Sequence, residues 1–253
     1  MMNELLAWLA LPWSGNPDHV IAPAVAWHGR LMVLAWGAAV PVAVLLARYF
    51  KVTPWQDWPR QLDHKFWWHG HRLLNYGAVV ISCAAAALVW SAQGYTGPAR
   101  ALHAWLGWSV VGLGLLQVLG GHLRGSKGGP TEPRLGPDGR AIDLHGDHYD
   151  MTRRRCLFEW VHKALGYGAL ALTVVALLVG LWVADAPRWM WLGLAAWWLA
   201  LFAVAATLQR QGRCIDTYQA IWGTDPRHPG AAVGPIGWGV RRLDADQPST
   251  GHA

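Results

Sequence analysis

The chain has 253 residues, 53% of them hydrophobic and only 14% charged, well below the roughly 25% charged of soluble domains. The apolar residues come in blocks close to the length that crosses a hydrocarbon core about 30 Å thick, which argues against a soluble globular domain. A net charge of +6 does not indicate nucleic acid, because the basic residues lie between the blocks, as the positive-inside rule produces.

In chain order, the start (MMNELLAWLALPW) carries too short an apolar run to span and no basic leader or cleavage site; residues 1–20 are expected to lie along the outer membrane surface. Five spans follow, from about Ile21 to Ala47, Trp67 to Trp90, Ala101 to Gly121, Phe158 to Val183 and Arg188 to Leu208. The 19 Trp suit the membrane–water interface. The expected fold class is all-α, a polytopic membrane helical bundle with a four-helix core plus a fifth transmembrane helix over residues 21–210.

Basic residues set the expected orientation. Arg48, Lys51, Arg60 and Lys65 follow the first span, Arg124, Lys127, Arg134, Arg140 and Arg153 to Arg155 the third, and Arg210, Arg213, Arg227, Arg241 and Arg242 the fifth, while the other side carries Arg100 and Arg188. The N-terminus is therefore expected outside, with the 123–155 loop and the 211–253 tail in the cytoplasm, in a cell inner membrane. The loop is rich in Gly, Pro and charge and reads as irregular; the tail after Gly223 reads as extended and partly disordered. Cys83, Cys156 and Cys214 form no Cys-x-x-Cys-His motif, which excludes covalent c-type haem attachment, and are expected to be reduced structural thiols.

The chemistry is carried by four histidines near the starts of four successive spans: His28, His71, His103 and His162. Spans one and three run inward, so His28 and His103 share the outer level; spans two and four run outward, so His71 and His162 share the inner one. At 1.5 Å per residue the two levels differ by roughly 20 Å or more, which leaves two facing pairs. Two neutral imidazoles on facing helices can fill both axial positions of a haem, which favours electron transfer over chemistry at the metal. The bland alternative, hydrogen-bonded packing histidines, fits one residue better than four level-matched ones. Gly29 and Gly37, Gly70 and Gly77, Gly107 and Gly112, and Gly166 and Gly168 suit either a macrocycle or close helix packing.

The stretch HGRLMVLAWGAAVPVAVLLARYFK, from His28 to Lys51, resembles the first core helix of the cytochrome b561 family, in the branch often fused to an extracellular haem-binding module. WWHGHRLLN resembles its second helix, HAWLGW its third and HKALGY its fourth, over roughly residues 25 to 210. The resemblance implies two non-covalent haems b, one held by His28 and His103 and one by His71 and His162. His69 also opens span two, about 200° of helical turn from His71; the family's aromatic pair, His, then amide fits Trp67, Trp68, His71 and Asn75, so His71 is preferred with His69 as the alternative. His122 is a further rival at the inner level.

Arg48, Tyr49, Lys51 and Arg72 are expected around the inner haem, where the cations would pair with propionates or receive an anionic reductant, or simply anchor the inner face. The loop segment LHGDHYDMTRRR gathers His145, Asp147, His148 and Asp150 without stereotyped metal spacing and reads as a cap over the inner haem. The expected function is transmembrane electron transfer from a quinol or cytoplasmic reductant to a separate periplasmic redox protein. The alternatives are a quinol-oxidising enzyme that reduces superoxide or ferric iron, and a haem-free scaffold or transporter with proton-relaying histidines.

Overall fold

The computed structural model describes residues 1–90 and 96–243. Among them, five helices are long and apolar enough to cross a membrane: α2 (Pro23–Tyr49), α3 (Phe66–Val89), α4 (Pro98–His122), α5 (Arg153–Val183) and α6 (Arg188–Arg210). The short helices α1 (Met2–Ala10) and α7 (Thr217–Trp222) lie before and after them. Large apolar side chains such as Leu73, Val80, Leu199 and Phe202 stand roughly 70% exposed on the long helices. In water that surface would be a liability; in hydrocarbon it meets its own kind, so the chain is a multi-pass membrane protein in a lipid bilayer.

The chain clusters into two units. One comprises Met1–Val44, Arg72–Leu116 and Gly166–Ala206. Its core is Ala35, Trp36, Val40, Ala78, Val110 and Ala176. Small residues on α3, α4 and α5 let the helices close around the Trp36 ring, and a Cβ on Gly114 would stand 2.8 Å from it. The Trp36 indole donates to Ser82 Oγ at 2.7 Å, and the Ser82 hydroxyl donates to the Ala78 carbonyl at 2.6 Å, so neither buried polar group is orphaned. Around Trp36, α2 loosens into a π-helical stretch, Val33–Ala39. The Gly37 carbonyl there accepts from the indoles of Trp197 and Trp198, 3.0 and 3.2 Å away.

The N-terminal segment is fastened to the α5–α6 connection. Asp185 accepts from the Ser14 backbone and hydroxyl, His19 Nε2 donates to the Ala184 carbonyl, and Arg188 lies over the Trp8 ring. The α1 side chains Met2, Leu5 and Leu6 are exposed.

The other unit comprises Leu45–His71, Gln117–Leu165 and Thr207–Ala253. It departs from the sequence reading in two places. The 123–155 loop contains an antiparallel hairpin, β1 (Arg134–Leu135) with β2 (Ala141–Asp143). It is cinched where Gly128 meets Gly146 too closely for any side chain, and by Asp147, which accepts from the backbone and hydroxyl of Ser126 and from Thr152. Second, the tail is packed as far as residue 243. Arg242 pairs with Asp216 and donates to the carbonyls of Ala231 and Val233, while Tyr218, Trp222 and Met151 form a buried cluster against Val233 and Ile236. One guanidinium satisfying three acceptors holds a Gly- and Pro-rich strand in place that has little secondary structure of its own. The terminal DADQPSTGHA lies outside the described residues.

α5 starts at Arg153, several residues before the predicted Phe158. Its charged first turns are stable because Arg155 and Lys163 both reach Glu159 at the i,i+4 spacing, 3.0 and 2.7 Å away. Cys83, Cys156 and Cys214 are free thiols.

Candidate haem-binding histidine pairs

Each unit holds one pair of facing imidazoles. In the first, the rings of His28 on α2 and His103 on α4 have centroids 6.0 Å apart, with planes at 84°. In the second, His71 on α3 and His162 on α5 stand 6.2 Å apart at 69°. The structure thus joins the four histidines in the partnership expected from alternating topology. His69 is exposed, as is His122.

The surroundings of the first pair fix which nitrogen is available. His28 Nδ1 lies 2.9 Å from the Ala85 carbonyl, and His103 Nδ1 lies 3.0 Å from the Ala176 carbonyl. A carbonyl has no proton to give, so Nδ1 donates in both rings and a neutral imidazole keeps its Nε2 lone pair free. This is the support a metal-ligating histidine ordinarily receives, and it locks ring orientation as well as tautomer. Gly180, one turn beyond Ala176, makes the approach possible: a Cβ there would stand 2.8 Å from His103 Cε1. Gly180→Ala is expected to push the His103 ring off its carbonyl and weaken metal binding by 10- to 100-fold, the usual loss when a supporting contact is removed. Haem titration of the purified variant, with helix content checked by circular dichroism, measures this.

At the second pair, His162 Nδ1 is buried with no hydrogen-bond partner among the described residues, an orphaned donor or acceptor. Phe158 stacks on the His162 ring at 5.2 Å, and Gln117 donates to the His162 backbone carbonyl at 2.8 Å, which ties α4 to α5.

These residues fit a haem. Metal–imidazole bonds of about 2.0 Å, on a metal held between two rings, put the ring centres roughly 6 to 6.5 Å apart, the spacing of both pairs. Neither pair is stacked face to face, as in-plane lone pairs require. Gly29, Gly77, Gly107, Gly112 and Gly168 have open space where a Cβ would lie, room for a flat group or for lipid. Gly37 and Gly70 serve helix packing instead, against Leu177 and Leu194 and against Leu46.

The cations named from sequence are engaged with the protein. Arg48 donates to Tyr49, to Gln209 and to the Trp238 carbonyl, and Arg72 lies over the Tyr76 ring. Lys51 is 6% exposed, and its ammonium donates to the Ile215 carbonyl at 3.0 Å. In the loop, His145 pairs with Asp150, whereas His148 is buried against Tyr218 and Trp222. Burial, with Arg155 nearby, pulls the His148 pKa down to about 3, so that ring is neutral and structural. Sequence reasoning did not reach Ala85, Ala176 and Gly180. Carbonyl acceptors leave no mark in a sequence, and one glycine in an apolar helix reads as packing.

These features define a class: a multi-pass helical membrane protein with two pairs of facing imidazoles. Comparison with known proteins then narrows it. The chain is 28% identical to human ferric-chelate reductase 1 over 156 residues and 27% identical to the mouse protein of that name over 162, covering 61% and 63% of this chain but 22% and 23% of those proteins. It is 24% identical over 169 residues to a cytochrome b561, DM13 and DOMON domain-containing protein of Arabidopsis thaliana, covering 66% of this chain and 16% of that one. The chain is thus related to the cytochrome b561 family, and that relationship implies haem b; it spans under a quarter of the length of the curated relatives it matches. No family model and no solved structure matches it.

Proposed function

We propose that this chain carries electrons across its membrane through two haems b, one held by His28 and His103 and the other by His71 and His162. The observation that carries the reading is the spacing of the two imidazole pairs, 6.0 and 6.2 Å between ring centres. Haem b supplies a one-electron ferric–ferrous couple. The four imidazoles are the residues that would hold the two haems, and holding each with two side chains would favour electron transfer over chemistry at the metal. The carbonyls of Ala85 and Ala176 hold two of the rings in the ligating tautomer. Arg48 and Arg72 are the cations we assign to propionate carboxylates or to an anionic reductant at the His71–His162 site; Lys51, closed to water against the Ile215 carbonyl, is assigned no anion of its own.

Basic residues concentrated after α2, α4 and α6 support an inner membrane orientation with the N-terminus outside, the C-terminal tail cytoplasmic and residues 1–20 along the outer interface. In that orientation the His71–His162 site would face a quinol or cytoplasmic reductant, and the His28–His103 site would face a separate periplasmic redox protein as acceptor. Proteoliposomes loaded with ferricyanide test this: a membrane-impermeant reductant added outside bleaches the enclosed ferricyanide when wild-type protein is present, but not with His28→Ala or His71→Ala. Equal rates for wild type and variants would overturn the proposal.

The names of the mammalian relatives favour a second reading, in which the terminal acceptor is a ferric chelate rather than a protein. Stopped-flow mixing of the reduced protein with a ferric chelate separates the two. Reoxidation at turnover-competent rates by the chelate alone supports the reductase reading, and slow reoxidation supports the carrier.

A further inference from the structure

Lys51 presents a charge problem. It follows α2 directly, outside the spanning segment, with its side chain closed to water. The carboxylates whose charges reach it, Glu159 and Asp216, are each bound elsewhere: Glu159 by Arg155 and Lys163, Asp216 by Arg242. Among the described residues no carboxylate lies within ion-pair distance of Lys51, and its ammonium has one acceptor, the Ile215 carbonyl. A buried cation without its own counter-ion is held close to the point of losing its proton. Burial, and then the charge of Lys163, lower the Lys51 pKa to about 8, against the pull of Cys214, Glu159 and Asp216. Arg213, beside Cys214, adds a fixed positive charge on that segment and donates to the Val52 carbonyl. Lys163 and Glu159, both coupled to Lys51, stand one and three residues from His162.

We propose that Lys51 is a redox-linked protonation site, taking up a proton when the His71–His162 site is reduced and releasing it on reoxidation. The inference rests on the reading that those histidines hold a haem. The step balances simply: one electron from the quinol or soluble reductant enters the iron, and one proton from water bonds to the lone pair of Lys51 Nζ. The added negative charge favours the ammonium, so reduction is easier where the proton is available and harder as pH rises. Lys51 thereby couples electron entry to proton uptake on its own side of the membrane.

Potentiometric titration of each haem between about pH 6.5 and 10 tests this, with the His71–His162 signal identified by its loss in His162→Ala. The His71–His162 haem is expected to become harder to reduce above about pH 8, by up to tenfold per pH unit, about 59 mV for one electron. Lys51→Met is expected to flatten this slope at a low potential, and Lys51→Arg to flatten it at a high one. Cys214→Ser, which removes the neighbouring thiol, is expected to keep the slope. A flat wild-type profile overturns the inference without need of any variant. So does a slope that survives in Lys51→Met, or one that disappears in Cys214→Ser. Wild-type protein lacking haem at His71 and His162 overturns the proposed function itself, an outcome the spectrum distinguishes from a loaded but pH-independent haem.

Discussion

Replacing His103 with alanine is expected to remove one haem and leave the other. The ring centre lies 6.0 Å from that of His28, and the other described imidazole of this unit, His19, is bonded to the Ala184 carbonyl. A single remaining imidazole cannot hold a six-coordinate haem, so the pyridine haemochrome of the variant should report half the wild-type haem per chain. His162→Ala should halve it too, but with loss of the other component of the reduced-minus-oxidised spectrum, and His69→Ala should leave both. Each pair is assembled within its own unit, so the losses should be independent. Simultaneous loss of both signals from either His→Ala variant contradicts separate sites.

The second large effect is expected at Glu159, whose side chain is 5% exposed between Arg155 at 10% and Lys163 at 27%. Removing one member of a buried ion cluster strands the others, and this usually costs about 3–5 kcal/mol. Glu159→Leu should therefore destabilise the protein by that order, read as a lowered midpoint in denaturant unfolding in detergent. Adding Arg155→Met should restore part of the loss, because the most buried unpaired cation is then gone and Lys163 keeps its bond to the Ile236 carbonyl. Equal destabilisation in the single and double variants would show that the cluster is not electrostatically coupled.

The spans were legible because hydrocarbon imposes a length and an apolar composition on any helix that crosses it, and the five predicted helices are present. The histidine partners were legible for a related reason: alternating helix direction converts chain order into shared depth, and the rings of His28 and His103, and of His71 and His162, meet accordingly. The preference for His71 over His69 came from a motif, and the half-turn between them accounts for one ring facing His162 and the other being exposed. What the sequence hid were contacts made by backbone. The 123–155 loop and the tail read as irregular by their Gly and Pro content. Their order depends on Arg242 reaching Asp216, Ala231 and Val233, and on Gly128 touching Gly146, long-range contacts with no local signature. Lys51 was legible as a cation but not as a buried one, because burial came from the fold of the Arg213–Asp216 segment against it.

The account stands on iron bound by both imidazole pairs. Pyridine haemochrome absorbance of the purified wild-type chain, set against protein and iron determined on the same sample, tests it most directly. Two haems b and two iron atoms per chain are expected; a chain saturated by one haem would contradict the paired sites, and one that binds none would contradict the electron-transfer reading altogether.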